Sequence, residues 1–458
     1  MINQKLDFII YYEHITRELE SCILLKAKLE TRGYKGEVVN IRSYKSLKYK
    51  SFVRPNVIFV PFCYTDELLN EFISNTSKKN IIINLQLEQI FSKKWNNIGW
   101  YNPSGKAKEV IHICWGKNSK QRLMNCGISD NKTPICGAIH LDLLKQNMRN
   151  LYLSKKDLGR KFNIPSNKKW VIYISSFAYS NPKGPSIKVL TENVIKNSNT
   201  KPNECKDYFD NMVRMQIESK NQTLSWFERF FHETNDETLI IYRPHPAELV
   251  EDDDLSKIKK RYPKRFFVVS ELSVRQWILC SDVIATWFST SIIEAYYADK
   301  FCSIIRPIDI PEDYDCTIYI GCKYIKTYSD FFNEINNEIA MSKSSINKEI
   351  IDLFYDNKLH KMSSDLICDV YEEVIKNQDK YSLLYKINYI AYLKSFIKYI
   401  LFKYYMKHDL LCLKRLLRNY ICWVNKKEEL NIEFAEKTLS QIINSGLHRF
   451  EKSDLPVE

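Results

Sequence analysis

Two short stretches of this sequence carry side chains suited to binding a phosphate group. The first reads LIIYRPHPAE over residues 239–248 and places Arg243, His245 and Pro246 in a turn after an apolar run. The second reads ATWFSTSIIEA over residues 285–295 and places adjacent hydroxyl residues before a helix-like segment. An arginine can form two parallel hydrogen bonds to phosphate oxygens, and a helix N-terminus offers N–H groups and partial positive charge. Together the two stretches predict a phosphate-binding site.

Each of these residues also has a purely structural interpretation. Prolines on both sides of His245 restrict the backbone, so the turn is either a rigid surface turn or a pre-shaped ligand site. Ser289, Thr290 and Ser291 suit helix capping, which uses the same geometry as phosphate binding, so the two roles are compatible. Glu294, one turn further on, is placed either to accept hydrogen bonds from a ribose or to face solvent.

The surrounding pattern predicts an α/β fold that brings these stretches together. Short apolar runs alternate with helical segments, which favours parallel sheets with right-handed crossovers. Ten strands are expected, at residues 6–12, 36–41, 57–61, 81–85, 110–115, 170–177, 239–242, 266–269, 283–286 and 301–306. In open sheets of this kind, ligands bind beyond the carboxyl ends of the strands, where both stretches lie.

The length and the change in composition along the chain predict three parts. A chain of 458 residues is too long for one ordinary core. A polar, basic stretch at residues 154–169 is interpreted as a linker, which gives domains at 1–155 and 165–378 and an extension at 379–458. The thirteen cysteines are scattered without a C-x-x-C pair, so neither a zinc site nor a disulfide framework is expected.

The extension differs in charge from the rest of the chain. The net charge is +13, and between residues 381 and 427 ten basic residues face a single acid, Asp409. A basic, aromatic, helical segment of this kind suits an anionic membrane surface; the alternative is a helix packed on the protein with its lysines reaching solvent. Residues 379–427 are therefore expected either to contact the inner face of a cytoplasmic membrane or to pack on the protein in this way. No signal peptide or spanning segment is recognised, and a cytoplasmic, peripheral location is expected.

The motifs resemble those of a known family. The stretches YRPHPAE and TWFSTSIIEA, with SELSVRQWI between them, resemble bacterial surface-carbohydrate glycosyltransferases of the GT-B type, a group that includes Kdo transferases and CDP-glycerol glycerophosphotransferases. The stretches LLKAKLETRGY, LEQIF, ICWGKNSKQRL and WVIYISSF are similar to the same family, so the resemblance spans roughly residues 5–375. It implies two Rossmann-like domains whose parallel sheets face a cleft, with a helical C-terminal extension.

The resemblance also implies ligands and chemistry. The first domain would bind the acceptor glycan, on its own or linked to a lipid, and the second the nucleotide-sugar donor. The donor expected is CMP-Kdo or a related CMP-activated ulosonic acid, with CDP-glycerol as the alternative, without a cofactor and without a metal. The group also includes bacterial sialyltransferases, but their Asp/Glu-Asp-Gly base motif is absent from this sequence, so sialyl transfer is disfavoured. The catalytic acid or base is sought among polar residues expected near strand ends: Glu13, His14, Glu88, Asp142, Asp207 and Asp210. Taken alone, an acid in such a position is more often a solvated or capping group than a catalytic one, and His14 is equally open to a role as a loop histidine with satisfied hydrogen bonds.

Two other classes of function compete with this interpretation. A net charge of +13 with many aromatics would suit a nucleic-acid-binding protein, but the basic residues alternate with large aliphatics rather than forming a stacking motif. No nucleic-acid partner is therefore expected. An inactive scaffold that has kept the fold is the second alternative, and the intact His–Pro and hydroxyl motifs argue against it.

Overall fold

The structure is a computed structural model of the whole chain. It describes residues 4–73, 77–89, 91–181, 186–197, 200–246, 248, 252–336, 347–357, 361–386, 388–408 and 426–453. The chain divides into two compact units. Unit 1 contains residues 1–89, 102–143 and 355–458, and unit 2 contains residues 90–101 and 144–354.

The strands account for all ten predicted apolar runs and include three further two-residue strands. Their bounds are β1 Gln4–Tyr12, β2 Gly36–Asn40, β3 Val53–Val60, β4 Lys79–Asn80, β5 Ile82–Asn84, β6 Ile111–His112, β7 Lys169–Ile174, β8 Thr238–Arg243, β9 Phe266–Val268, β10 Val283–Thr286, β11 Cys302–Ile305, β12 Tyr324–Ile325 and β13 Leu383–Leu384. Buried parallel strands are apolar on both faces, so they appear in the sequence as continuous apolar runs.

The helices fill the crossovers between strands. Their bounds are α1 Glu20–Thr31, α2 Tyr44–Phe52, α3 Asp66–Phe72, α4 Lys93–Ile98, α5 Lys117–Asn125, α6 Lys155–Phe162, α7 Ile187–Asn197, α8 Pro202–Glu233, α9 Asp253–Arg261, α10 Val274–Cys280, α11 Ser291–Tyr297, α12 Tyr328–Asn336, α13 Lys348–Phe354, α14 Ser363–Lys376, α15 Gln378–Tyr381, α16 Tyr389–His408 and α17 Lys426–Ser453. A π-helical turn at Ile15–Leu19 precedes α1. Short 3₁₀ turns lie at Gly105–Glu109, Asp130–Lys132, Ile139–Leu144, Gln146–Leu151 and Thr317–Tyr319.

Each unit is built on one parallel sheet. The sheet of unit 1 has the strand order β2-β1-β3-β5-β6, and β4 and β13 form a separate antiparallel pair. The sheet of unit 2 has the order β12-β11-β10-β7-β8-β9. Every pairing within these two sheets is parallel. The two Rossmann-like units confirm the predicted α/β, GT-B class of fold.

The division of the chain differs from the predicted domain boundaries. Residues 355–378 were expected with the second domain, but they belong to unit 1 together with the extension. Two contacts explain this placement: the carboxylate of Asp142 accepts hydrogen bonds at the start of α14, and the ring of Tyr371 stacks on Phe59 of β3 at 6.0 Å. These contacts join residues more than 200 positions apart, so no local sequence pattern predicts them.

Within the described residues, the C-terminal extension consists of α15, β13, α16 and α17. Leu383–Leu384 form β13, which pairs with β4, before α16 begins. Residues 409–425 of the predicted basic segment lie outside the described residues. Among the helices that the structure does describe, none combines the length and the low charge needed to cross a bilayer.

Candidate functional site

The carboxyl ends of three neighbouring strands in unit 2 lie in one row. Ile174, the last residue of β7, pairs with Arg243 of β8 on one side and with Thr286 of β10 on the other. The His–Pro turn therefore begins at the same sheet edge as the hydroxyl stretch, with the end of β7 between them. This arrangement agrees with the position at which open α/β sheets bind their ligands.

The His–Pro turn is held by a buried carboxylate that sequence reasoning did not single out. His245 is half-buried and Pro246 is exposed, whereas the side chain of Glu248 is fully buried. The backbone N–H of His245 donates to the Glu248 carboxylate at 3.2 Å, and the N–H of Glu248 donates to the His245 carbonyl at 2.8 Å. These two hydrogen bonds between His245 and Glu248 fix the turn that carries the imidazole.

Glu248 belongs to a buried polar network. The hydroxyls of Ser175 and Tyr242 each donate to its carboxylate at 2.6 Å, and their oxygens lie 2.8 Å apart. The ammonium of Lys220, on α8, lies 3.5 Å from Glu248 and 2.8 Å from Asp252. Burial alone would raise the pKa of Asp252, but the Lys220 ammonium and nearby backbone N–H groups outweigh it and hold that pKa below its usual value. The network ties β7, β8 and α8 to the turn.

Arg243 is engaged differently from the predicted phosphate fork. Its guanidinium donates to the backbone carbonyl of Glu271 at 2.9 Å and to that of Leu272, and the residue is only 7% exposed. Leu272 has a positive φ of 62°, a conformation that costs energy for a leucine. In this structure the arginine fastens the loop after β9, and its contact with a phosphate remains a prediction.

The hydroxyl stretch is fixed by a tyrosine outside the predicted motif. The phenol oxygen of Tyr319 accepts from the N–H of Ser289 at 2.6 Å and donates to the carbonyl of Ser289 at 2.8 Å. The Ser289 hydroxyl oxygen accepts from the N–H of Ser291 at 3.2 Å, so Ser289 performs the capping. The side chain of Thr290 makes no capping hydrogen bond, although Thr290 directly precedes α11.

Glu294 is not a solvated helix residue. It is 7% exposed, and its carboxylate lies 3.1 Å from the guanidinium of Arg275, which is 2% exposed. Removing one member of a buried ion pair leaves an uncompensated charge, so the pair fixes α10 against α11. The proposed contact of Glu294 with a ribose is untested.

Arg306, directly after β11, extends the same sheet edge. It is 3% exposed, and its guanidinium pairs with Asp315 at 2.6 Å. The rings of Trp287, Tyr319 and Tyr324 surround it, with centroids 5.3 to 5.4 Å away. Cation–π contacts of this kind hold Tyr319 in the position from which it fixes Ser289.

In unit 1, Glu13 and His14 follow the end of β1 and form a close pair. The His14 Nε2 lies 3.6 Å from the Glu13 carboxylate, which also pairs with Arg42. A buried carboxylate holds this turn, as in unit 2: Glu18 accepts the backbone N–H of Glu13 at 2.7 Å and that of His14 at 3.4 Å. Burial raises the pKa of Glu18, and the adjacent Arg17 opposes that rise. The π-helical turn that carries Glu18 is a feature frequent at functional sites.

A pocket of about 460 Å³ opens beside this turn, at the carboxyl ends of β1 and β2. Its wall combines apolar side chains with charged and hydroxyl groups: Tyr11, Ile41, Leu47, Phe62, Leu68, Phe72, Glu13, Arg42, Ser43, Tyr44, Ser46, Lys50 and Glu71. Burial lowers the pKa of Lys50, and the nearby Lys398 lowers it further while Glu71 opposes both. An apolar wall with a few convergent polar groups is typical of a ligand pocket.

The remaining acidic candidates do not lie at this pocket. Glu88 is exposed and pairs with Arg17 at 2.6 Å. Asp142 is fully buried, and its carboxylate accepts the N–H groups of Ser363 and Ser364 at 2.9 and 2.7 Å, so it caps α14. The expectation that Asp142 stands at a strand end is wrong, since it lies in a 3₁₀ turn.

Asp207 and Asp210 also differ from their expected position. They lie in the second and third turns of α8, a helix of 32 residues, rather than at a strand end. Asp207 is exposed, and Asp210 pairs with Lys206 at 2.7 Å along the helix surface. The start of α8 is polar because these residues form the solvent face of an amphipathic helix, which resembles a loop in composition.

Comparison with known proteins gives the fold of the chain. No protein-family model matches it, and no curated protein matches it. Among solved structures it is similar to the wall teichoic acid polymerase TagF, with a TM-score of 0.51 at 13% identity over 81% of this chain and 90% of that one. A TagF variant with asparagine in place of a histidine gives a TM-score of 0.52 at 14% identity, over 82% and 90% of the two chains. The same variant soaked with CDPG gives 0.50 at 14% identity, over 81% and 89%. At this identity the likeness is one of fold, and the chain has the two-unit GT-B fold of that polymerase.

Proposed function

We propose that this chain is a glycosyltransferase-type enzyme of surface-glycan biosynthesis that uses a nucleotide-activated donor. One observation carries the proposal: the turn bearing His245 and the stretch bearing Ser289 begin at one edge of the unit 2 sheet, on either side of β7. A leaving group that becomes negatively charged needs electrostatic stabilisation, and the imidazole of His245 together with the hydroxyl groups of the Ser289 stretch would supply it from this edge.

Within this proposal, unit 2 binds the donor phosphate. As the donor bond breaks, negative charge develops on the phosphate oxygens, and His245 stabilises that charge. Tyr319 and Glu248 do not touch the donor; they hold Ser289 and His245 in place through the hydrogen bonds described above. The transfer is proposed to need neither a metal ion nor a cofactor, so it should persist in the presence of EDTA.

Unit 1 is proposed to hold the acceptor and the base. The imidazole of His14 removes the proton from an acceptor hydroxyl, whose oxygen then bonds to the donor as the bond to the nucleotide phosphate breaks. Glu13, 3.6 Å from His14, stabilises the imidazolium that results. The adjacent pocket, apolar on one side and charged on the other, suits a glycan whose sugar rings offer both hydroxyls and apolar faces.

The donor is proposed to carry a cytidine nucleotide. CMP-Kdo or a related CMP-activated ulosonic acid is one candidate, drawn from the motif resemblance. CDP-glycerol is the second, also drawn from the motif resemblance; the likeness of fold to a TagF variant soaked with CDPG does not rank the two donors. The two differ in the number of phosphates, so they predict different preferences between CMP and CDP.

A thermal-shift screen tests the donor class. The wild-type chain is incubated with CMP, CDP, UDP, GDP and ADP, beside His245→Ala and a matched control, His232→Ala, which alters an exposed histidine on α8. A nucleotide at about one hundred times its Kd stabilises by about 2.7 kcal/mol. We expect stabilisation by a cytidine nucleotide in the wild type and in His232→Ala but not in His245→Ala. Failure of every nucleotide to stabilise the wild type would refute the proposal.

A transfer assay tests the base. Nucleotide release from CMP-Kdo and CDP-glycerol is measured with His14→Ala beside the same His232→Ala control. Loss of a general base costs roughly 10²- to 10⁴-fold in kcat. Nucleotide binding should be unchanged in His14→Ala, because His14 lies in unit 1. An unchanged kcat would remove His14 from this role and leave the donor proposal intact.

A further inference from the structure

The helix α16, residues Tyr389–His408, has an unusual charge composition. It carries Lys394, Lys398, Lys403 and Lys407 and no acidic residue. It contains no glycine or proline to interrupt it. Its cations therefore have no acidic partner within the helix itself.

One face of α16 packs against unit 1. The rings of Tyr399 and Phe402 stack on Tyr44 of α2, with centroids 6.1 and 5.1 Å away. Phe396 packs edge-on against Phe52, also on α2, at 5.4 Å. The helix is therefore fixed to the protein by an aromatic contact, and its orientation is defined.

A second apolar stripe faces away from α2. Five large apolar side chains follow one another at spacings of three and four residues and are 39 to 70% exposed: Ile390, Leu393, Ile397, Ile400 and Tyr404. Tyr389, which is 73% exposed, extends the stripe at the start of the helix. At 3.6 residues per turn, the centre of this stripe lies roughly 140° from the packed face. Exposed apolar stripes of this size mark interaction surfaces.

The lysines beside the stripe indicate which kind of partner covers it. On the helical wheel Lys394 and Lys403 lie on opposite sides of it, and both are exposed. Pairing two copies of the stripe would bring lysines towards lysines, with no acidic residue in α16 to compensate them. An anionic lipid surface accepts the apolar stripe among its acyl chains and neutralises the flanking ammonium groups.

We propose that α16 docks this stripe onto an anionic bilayer, lying in the plane of the surface. The helix then connects the bilayer to the acceptor pocket, because Tyr44 both stacks on α16 and lines that pocket. If the proposed function is right, the acceptor presented there is a glycan attached to a membrane lipid. Docking itself does not depend on the donor or on the reaction.

Vesicle sedimentation tests the docking. The full chain is mixed with vesicles of phosphatidylcholine alone or with about 30% phosphatidylglycerol. The double variant Leu393→Gln/Ile397→Gln removes the centre of the stripe without changing the charge. Its matched control is Phe434→Gln, which alters a side chain that is 73% exposed on α17. A second variant, Lys394→Ala/Lys403→Ala, removes the flanking cations.

We expect the wild type and Phe434→Gln to bind the anionic vesicles strongly. The stripe variant should bind them at least about tenfold more weakly. The lysine variant should bind about fivefold more weakly for each lysine removed, and salt should weaken the wild-type binding. Equal partition of the wild type and the stripe variant would overturn the proposal. A dimer of the wild type in sedimentation velocity that is absent in the stripe variant would also overturn the proposal, because a second copy of the chain would then cover the stripe. Nucleotide stabilisation, measured without vesicles, separates failure of docking from failure of the proposed function.

Discussion

Replacing Glu248 with alanine is expected to weaken both the stability of unit 2 and its nucleotide binding. The change removes a fully buried carboxylate that accepts from Ser175, from Tyr242 and from the backbone N–H of His245. Ser175 and Tyr242 can still hydrogen-bond to each other, because their oxygens lie 2.8 Å apart. The N–H of His245 loses the Glu248 carboxylate as an acceptor.

The magnitude follows from the groups left behind. A buried hydroxyl donor left without an acceptor, as one of Ser175 and Tyr242 then is, costs about 1 to 3 kcal/mol, and loss of one carboxylate beside the buried Lys220 adds to that cost. Lys220 keeps Asp252 at 2.8 Å, so the full cost of an unpaired buried charge does not apply. We therefore expect a loss of about 3 to 4 kcal/mol in the free energy of unfolding of unit 2.

Urea unfolding followed by tryptophan fluorescence, together with nucleotide titration under native conditions, measures both effects. The matched control is Glu237→Ala, which alters an exposed glutamate in the same unit and should change stability by less than about 0.5 kcal/mol. Nucleotide affinity should fall in Glu248→Ala and not in Glu237→Ala. A Glu248→Ala protein with wild-type stability and wild-type affinity would refute the reasoning that this carboxylate holds the turn.

Three further predictions concern other groups. Tyr319→Phe removes the phenol that bridges the N–H and carbonyl of Ser289, so nucleotide affinity by calorimetry should fall about fivefold to tenfold, and an unchanged Kd would contradict this role. Asp142→Ala removes the acceptor for two buried N–H groups of α14, so the free energy of unfolding should fall by about 2 to 5 kcal/mol. The kcat, measured well below the Tm, should not change. A loss of kcat in a variant of unchanged stability would instead indicate a catalytic role for Asp142. Burial lowers the pKa of His112 to about 4, below an ordinary value of about 6.5, so the unfolded chain binds the proton first as the pH falls. Stability should therefore drop by about 3 kcal/mol between pH 6.5 and 4, and His112→Gln should show a shallower pH dependence of unfolding; equal slopes would contradict it.

The sheets were predictable from sequence because their signal is local. Buried parallel strands such as β1 and β8 form uninterrupted apolar runs, and alternation with helical segments fixes the parallel order. The position of the His–Pro turn at a strand end followed directly from the run that precedes it. The same logic found the hydroxyl stretch after β10.

The roles of individual polar residues were less predictable because their partners are distant. Glu248 was visible three residues after His245, but its burial depends on Lys220 from α8 and on Ser175, directly after β7. In the sequence, Asp142 resembles an acid at the end of a strand. Its carboxylate accepts hydrogen bonds from N–H groups of α14, which lies more than 200 residues later in the chain. A single sequence does not show which distant element meets such a side chain.

Arg243 and Tyr319 illustrate the same limit within the candidate site. An arginine beside a His–Pro turn suggests an anion ligand, yet its guanidinium holds the carbonyls of Glu271 and Leu272. Tyr319 lies in an unremarkable turn of the sequence, and only the fold brings its hydroxyl to Ser289. The exposed stripe of α16, by contrast, has a helical spacing that the sequence displays.

Isothermal titration calorimetry with CDP, CMP and cytidine tests the central claim most directly. The claim is that the strand ends carrying His245 and Ser289 bind the phosphate of a cytidine nucleotide. We predict measurable binding of CDP or CMP, much weaker binding of cytidine, which has no phosphate, and loss of this difference in His245→Ala but not in His232→Ala. Equal affinity for cytidine and its phosphates, or unchanged nucleotide affinity in His245→Ala, would contradict the account.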